Sequence, residues 1–194
     1  MTDTSNVANI HNGHEYVDLG LPSGLLWATC NVGTIYPQYN GLYFAWGETT
    51  GYSISDVEWG IITFEKKSFK KKKNIENLTL EQDAAHIHMG GKWRTPTMNE
   101  YQELIDNCTS EWVDDFNKNG VIFKSKINGK SVFFPAAGRG MDNGVFFTHS
   151  LMEYWTSTVD SENFAWGVRC FNNMCKITSF YRYYGRQVRA VCER

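Results

Sequence analysis

The chain has 194 residues, 42% hydrophobic and 21% charged, with 19 Lys and Arg against 21 Asp and Glu for a formal net charge of −2. That length predicts one domain with enough chain to bury a core, and the composition is that of an ordinary folded chain rather than a disordered one. The charge balance excludes a nucleic-acid binder that relies on overall positive charge.

Residues 1–13 are polar and read as a flexible N-terminal segment, with 14–194 as one domain. The opening residues show neither the basic nor the apolar region of a secretory signal. No run approaches the roughly 20 apolar residues that span a bilayer, so no membrane span is expected. "HEYVDLGLPSGLLWATCNVG" (14–33) reads as two short strands joined by the turn "LPSG". "GLYFAWGET" (41–49) reads as an aromatic strand. Residues 50–78 form a lysine-rich excursion with six Lys at 66–73, read as a solvated run of like charge.

Two helices follow. Thr79 is placed as the N-cap of "LEQDAAHIHMG", with Gln82 in the capping-box position and Gly90 or Gly91 as the stop. Thr97 is placed as the N-cap of "MNEYQELIDNC", with Glu100 completing a capping box. Met98, Tyr101, Leu104 and Ile105 then share one buried face. His86 and His88 are two residues apart, which on a helix sends them to different faces and makes them a poor metal pair.

From about 112 the pattern is β. "VIFKSKINGKSVFFPAAG" (121–138) predicts a hairpin with Asn128-Gly129 in a type I′ turn. "GRGMDNG" (138–144) reads as a loop. "EYWTSTV" (153–159), "FAWGVRCF" (164–171), "CKITSFY" (175–181) and "RQVRAVC" (186–192) read as four further strands. The fold class is therefore α+β, with helices followed by antiparallel strands and long loops.

The blocks "HEYVDLGLPSGLLWATCNVG", "GLYFAWGET", "GGKWRTPTMNEYQELIDNC", "VFFPAAGRG", "EYWTST" and "YYGRQVRAV" occur in that order. Together they resemble the Fibrobacter succinogenes major paralogous domain of gut Bacteroidetes and their phages. That family is similar to the C-type-lectin-like and formylglycine-generating-enzyme superfamily. The resemblance implies a C-type-lectin-like fold, and exposure on a phage particle or cell surface. In this reading Trp93 and Trp155 belong to the core and Arg94 braces a loop. The family shows an aromatic after the Gly of its closing block, where this chain has Arg186.

The resemblance also implies recognition through the last third of the chain, with a protein or cell-surface glycan as ligand and with no cofactor. The candidate ligand-binding residues are Asp160, Ser161, Asn163, Phe164, Phe171, Asn172, Asn173, Ser179, Tyr181, Arg182, Tyr183 and Tyr184, a Tyr, Asn, Ser and Arg mixture of the kind binding surfaces use. Val188, Val191 and Tyr184 are expected as supports, and Tyr181, Arg182 and Tyr183 at the binding face. Strand alternation places Ile177 and Ser179 on one face, with Lys176, Thr178 and Phe180 on the other.

Variable proteins of diversity-generating retroelements belong to the same superfamily. The run from Asp160 to Tyr184 has the composition that adenine mutagenesis of Asn codons leaves, between "YWTST" and "GRQVRAV" as fixed borders. Trp166 is unreachable by that route and is expected in the scaffold.

The chain has five Cys without a CxxC, read mainly as buried small hydrophobes. Cys170 and Cys175 nevertheless have the spacing of the thiol pair in formylglycine-generating oxidases. With Asn172-Asn173 as a two-residue turn, they face each other as a non-hydrogen-bonded pair, near disulfide geometry. Two unpaired thiols on one strand face are the alternative. Calcium-dependent sugar binding is disfavoured, because the Glu-Pro-Asn and Trp-Asn-Asp signatures are absent. A sugar stacked on Trp or Tyr without metal stays open.

Overall fold

The computed structural model describes residues 9–65, 76–115 and 118–194. The lysine run at 66–73 and most of the N-terminal segment lie outside the described residues. β1 (Ile10–His11) turns at Asn12-Gly13 into β2 (His14–Asp18), which pairs antiparallel with β3 (Leu26–Asn31) across the expected turn. β3 also pairs with the last strand, β12 (Arg189–Cys192), so the sheet runs β1-β2-β3-β12 and draws the chain end back to its start.

The aromatic segment 41–49 is not a strand. Tyr43 bridges Tyr52 on one side and Phe44 bridges Arg186 on the other, and Gly47 at φ 75° then turns the chain away. Residues 43–46 are buried. Two indoles clip the segment in place: Trp155 Nε1 donates to Phe44 O and Trp46 Nε1 donates to Thr156 O, both at 2.8 Å. A short helix, α1 (Ile54–Glu58), follows with a Ser53–Asp56 capping box.

The helix expected from Thr79 is broken in two. Thr79 makes no side-chain cap, and a single 3-10 turn (Leu80–Gln82) ends at Asp83. Asp83 then caps α2 (Ala84–Met89) by accepting from the backbone of Ala85 and His86, and Gly90 stops that helix at φ 66°. The break has a long-range cause. Asp83 also accepts from Thr95 N at 2.8 Å and from Thr95 Oγ1 at 2.6 Å, which requires extended backbone at this position.

α3 (Met98–Asn107) forms as the sequence predicts, with both capping-box hydrogen bonds between Thr97 and Glu100. Tyr101 and Leu104 are buried, and the Tyr101 ring meets Trp27 edge-on at 5.2 Å. Arg94 forms a two-pronged bond to Glu100 at 2.7 and 2.8 Å, bracing the loop before the helix.

β4 (Cys108–Asp115) leaves the end of α3 directly and pairs with β5 (Lys118–Ser125), which pairs with β6 (Ser131–Pro135). The β5–β6 hairpin is the expected one, but its turn is not type I′, since Gly129 and not Asn128 has positive φ. Asn128 is engaged elsewhere: its Nδ2 donates to Asp18 O and its Oδ1 accepts from Lys130 N. The "GRGMDNG" segment, expected as a loop, forms the hairpin β7 (Arg139–Met141) and β8 (Gly144–Phe146). The small residues fit because the Phe64 ring lies against Gly140 and Gly185, where a Cβ would meet it within about 2.5 Å.

β9 (Met152–Val159), β10 (Phe164–Phe171) and β11 (Met174–Tyr181) form an antiparallel sheet in the order β11-β10-β9. One cluster gathers α3, Trp27, Phe134, Tyr154, Val168 and Cys170. A second gathers Trp93, Trp155, Phe44, Ala165 and Phe180. The first cluster packs on one face of the β9–β11 sheet and the second on the other face around Trp155 and Phe180, while Phe171, Met174 and Lys176 on that second face stay exposed. The described residues form an α+β, largely antiparallel architecture with few helices, and none of these helices is long and apolar enough to cross a membrane.

Candidate functional site

All twelve candidate residues are at least partly exposed, but they do not form one surface. Eleven of them divide between the two ends of the β10–β11 hairpin, and Ser179 lies within β11. Eight-residue strands separate those ends by about 23 Å at roughly 3.3 Å per residue.

At one end Phe164 stands opposite Tyr181. The 160–163 turn folds onto it, with Asp160 N and Ser161 N both donating to Phe164 O, and Arg182 N donating to Asn163 O. Four rings stack there. Phe164 and Tyr181 lie 4.3 Å apart between centroids, Tyr181 and Tyr183 5.2 Å, and Tyr183 and Tyr184 4.7 Å. Tyr181 is the most open of them at 43% exposure. Burial, reinforced by Tyr184 and other neighbours, pushes the Tyr183 phenol above its ordinary pKa.

Arg182 lies beneath this patch. Its guanidinium sits 4.4 Å from the Trp46 ring centroid, and Nε donates to Phe164 O at 3.3 Å. Burial pushes its pKa down. The segment 41–49 supports it from behind, because Trp46 N donates to Arg182 O at 2.7 Å. Gly185 through Cys192 are all buried, which places Val188 and Val191 in the core as expected.

At the other end are Phe171, Asn172 and Asn173. Asn172 has φ 51°, and Asn173 Oδ1 accepts from Trp112 N at 2.8 Å, which ties the hairpin tip to β4. Ser179 lies between the two ends, half-buried opposite Trp166, which is itself half-buried. Ile177 packs on the first core cluster and Phe180 in the second, on the opposite faces expected.

The tip has the predicted register, with Phe171 opposite Met174 and Cys170 opposite Cys175, and the two cysteines form a disulfide. Of the free cysteines, Cys108 and Cys192 are buried and Cys30 is half-buried.

One arrangement was not visible in the sequence. Glu153 is fully buried and accepts from Arg186 Nε at 2.9 Å, from Arg169 Nε at 2.7 Å and from Arg139 Nη1 at 3.3 Å. Arg186 lies over the rings of Phe180 and Trp155 at 3.8 and 4.7 Å. Burial pushes its pKa down to about 10, against the opposing pull of Glu153. The arginines come from three separate strand or bridge positions, so no local spacing announces the cluster.

The histidines have separate partners: His86 Nδ1 lies 3.2 Å from Trp93 O, His88 Nε2 lies 2.8 Å from Thr49 O, and His149 Nδ1 lies 3.0 Å from Asn119 Oδ1. Among the described residues no three His, Cys, Asp or Glu side chains converge as a metal site. No family model, curated protein or solved structure matches the chain.

Proposed function

We propose that this chain is a non-catalytic recognition domain that binds a protein or cell-surface glycan ligand through the patch formed by residues 160–164 and 181–184. The observation that carries this reading is the ring stack Phe164–Tyr181–Tyr183–Tyr184 at one end of the β10–β11 hairpin, with Tyr181 open to solvent. The rings hold one another in place, so binding costs little further side-chain entropy, and their hydroxyls offer hydrogen bonds at the rim. A C-type-lectin-like fold is part of the same proposal. The pairing of the first long strand β3 with the closing strand β12 supports it, as do the short helices and the terminal hairpin sheet.

The test begins with binding of the whole chain to immobilised glycans and to intact cells. A Tyr181→Ala/Tyr183→Ala variant with an unchanged melting temperature is then compared on whatever binds. Loss of binding supports the reading, and retained binding overturns the site.

Diversification by a retroelement is proposed as the origin of the patch. In its support, the flanking blocks are mostly buried, with Tyr154, Trp155 and Thr156 on one side and 185–192 on the other, while the candidate positions between them reach solvent. A reverse-transcriptase gene beside the coding sequence, with a near-copy of codons 155–192 differing only at adenines, would support this origin. Flanking DNA without either would remove it and leave the binding reading intact.

A further inference from the structure

We propose that a cavity at the opposite end of the hairpin from the ring stack binds a free carboxylate of small-molecule size with an apolar body. The anion is held by Arg139, Arg169 and Lys176, and the body lies against Phe147, Phe171 and Met174. The cavity measures about 420 Å³ and lies between the β7–β8 hairpin with its following loop and the tip of β10–β11. That volume falls within the range of roughly 300–1,000 Å³ typical of small-molecule sites. The proposal is independent of the ring stack.

Charge is the first support. Arg139, Arg169 and Arg186 converge on the single carboxylate of Glu153. Lys176 stands directly opposite Arg169 in the strand register, and like charges in that position repel. Three arginines therefore share one buried anion, Lys176 adds a fourth positive charge opposite Arg169, and among the described residues no other carboxylate bonds to any of them. A ligand carboxylate in the cavity would relieve that excess.

The donors are also fixed in advance. Glu153 occupies Arg169 through Nε and Nη2, and Arg139 through Nη1. No hydrogen bond among the described residues uses Arg169 Nη1 or Arg139 Nη2. Both side chains keep access to the opening, at 32% and 21% exposure. Arg139 is braced further by the Phe147 ring, 4.9 Å from its guanidinium carbon. Arginines immobilised in this way lose little freedom when an anion arrives.

The walls supply the second half of the specificity. Phe171 and Met174 are 48% and 71% exposed, large apolar side chains that a ligand body would cover. Inorganic anions would leave them in water.

The test is titration of the whole chain with 4-phenylbutyrate, its neutral amide, acetate and inorganic phosphate, followed by calorimetry and by backbone amide NMR. The expected result is binding of 4-phenylbutyrate at least tenfold tighter than each of the other three, weakened by added salt, with shifts at 171–176 and around 147. Lys176→Glu is the deciding variant, because Lys176 is exposed and outside the Glu153 contacts, so its fold is expected to be intact. It should weaken binding at least tenfold. Equal binding of the amide, an unchanged Lys176→Glu affinity, or shifts confined to 181–184 would each overturn the proposal. Phosphate or acetate binding as tightly as the probe would overturn the part assigned to the apolar walls.

Discussion

Arg186 Nε donates to Glu153 Oε2 at 2.9 Å, with side-chain exposures of 1% and 0%. A buried ion pair contributes little relative to a well-packed apolar pair, but removing one partner leaves the other charge stranded. Glu153 is the shared acceptor of three arginines, so the two ends of this contact are not equivalent.

Glu153→Gln should therefore lower stability by about 3–5 kcal/mol, since three guanidinium groups then repel without a counter-charge. Arg186→Met should cost less, because Glu153 keeps Arg139 and Arg169 and the Met fills space between Trp155 and Phe180. Urea unfolding of both variants checks the order, and an equal or reversed cost would show that Glu153 is not the hub.

Asp83→Asn should cost about 2–3 kcal/mol. The buried carboxylate accepts from Ala85 N, Thr95 N and Thr95 Oγ1, and an amide in its place turns one acceptor into a donor facing donors. Thermal unfolding gives the magnitude. Thr79→Ala should change little, because Thr79 makes no side-chain cap.

Replacing Cys170 and Cys175 by Ser should cost about 2 kcal/mol, the chain-entropy value for so short a closed loop. Binding at the ring stack should survive, since the bridge lies at the other end of the hairpin. An oxidase working through this pair would instead lose its activity entirely, so one variant measured in both assays separates the two functions.

The free thiols should be unequal. In the native chain at pH 8, a thiol reagent should titrate Cys30 quickly, Cys108 and Cys192 only after unfolding, and the bridged pair only after reduction. Burial pushes the Cys108 and Cys192 thiols up to about 11 from the ordinary value of 9. Between those values the unfolded chain has already lost these protons and the folded chain has not. Their contribution to stability is complete below pH 9 and declines as pH rises towards 11. Cys192→Ala should flatten that decline in urea midpoints measured from pH 8 to 11.

For a ligand of the ring stack, Tyr181→Ala should weaken binding about 30-fold, the equivalent of roughly 2 kcal/mol for an aromatic anchor. Phe171→Ala, about 23 Å away along the hairpin, should leave that affinity unchanged. Equal losses in the two variants would mean that the ligand spans both ends.

Features set by bonds between near neighbours were legible in the sequence. The α3 capping box closes over three residues, and the Cys170–Cys175 register follows from a two-residue turn. Alternation correctly assigned Ile177 and Phe180 to opposite faces. At several places where a side chain or backbone group found a distant partner, local pattern missed the element or the turn. Asp83 broke a helix to reach Thr95, Asn128 left its turn geometry for Asp18, and residues 43–44 divided their bridges between Tyr52 and Arg186. That the candidate residues reach solvent was legible only in part from their types, since Asn and Ser at hairpin ends favour water while Arg186 and Arg189 a few residues on are fully buried. The division of the candidate residues between two hairpin ends, and the assembly of three arginines on Glu153, were decided only by the tertiary structure. Strand pairing and ring packing bring those groups together from distant positions, and no periodicity in the chain records which distant group a side chain will meet.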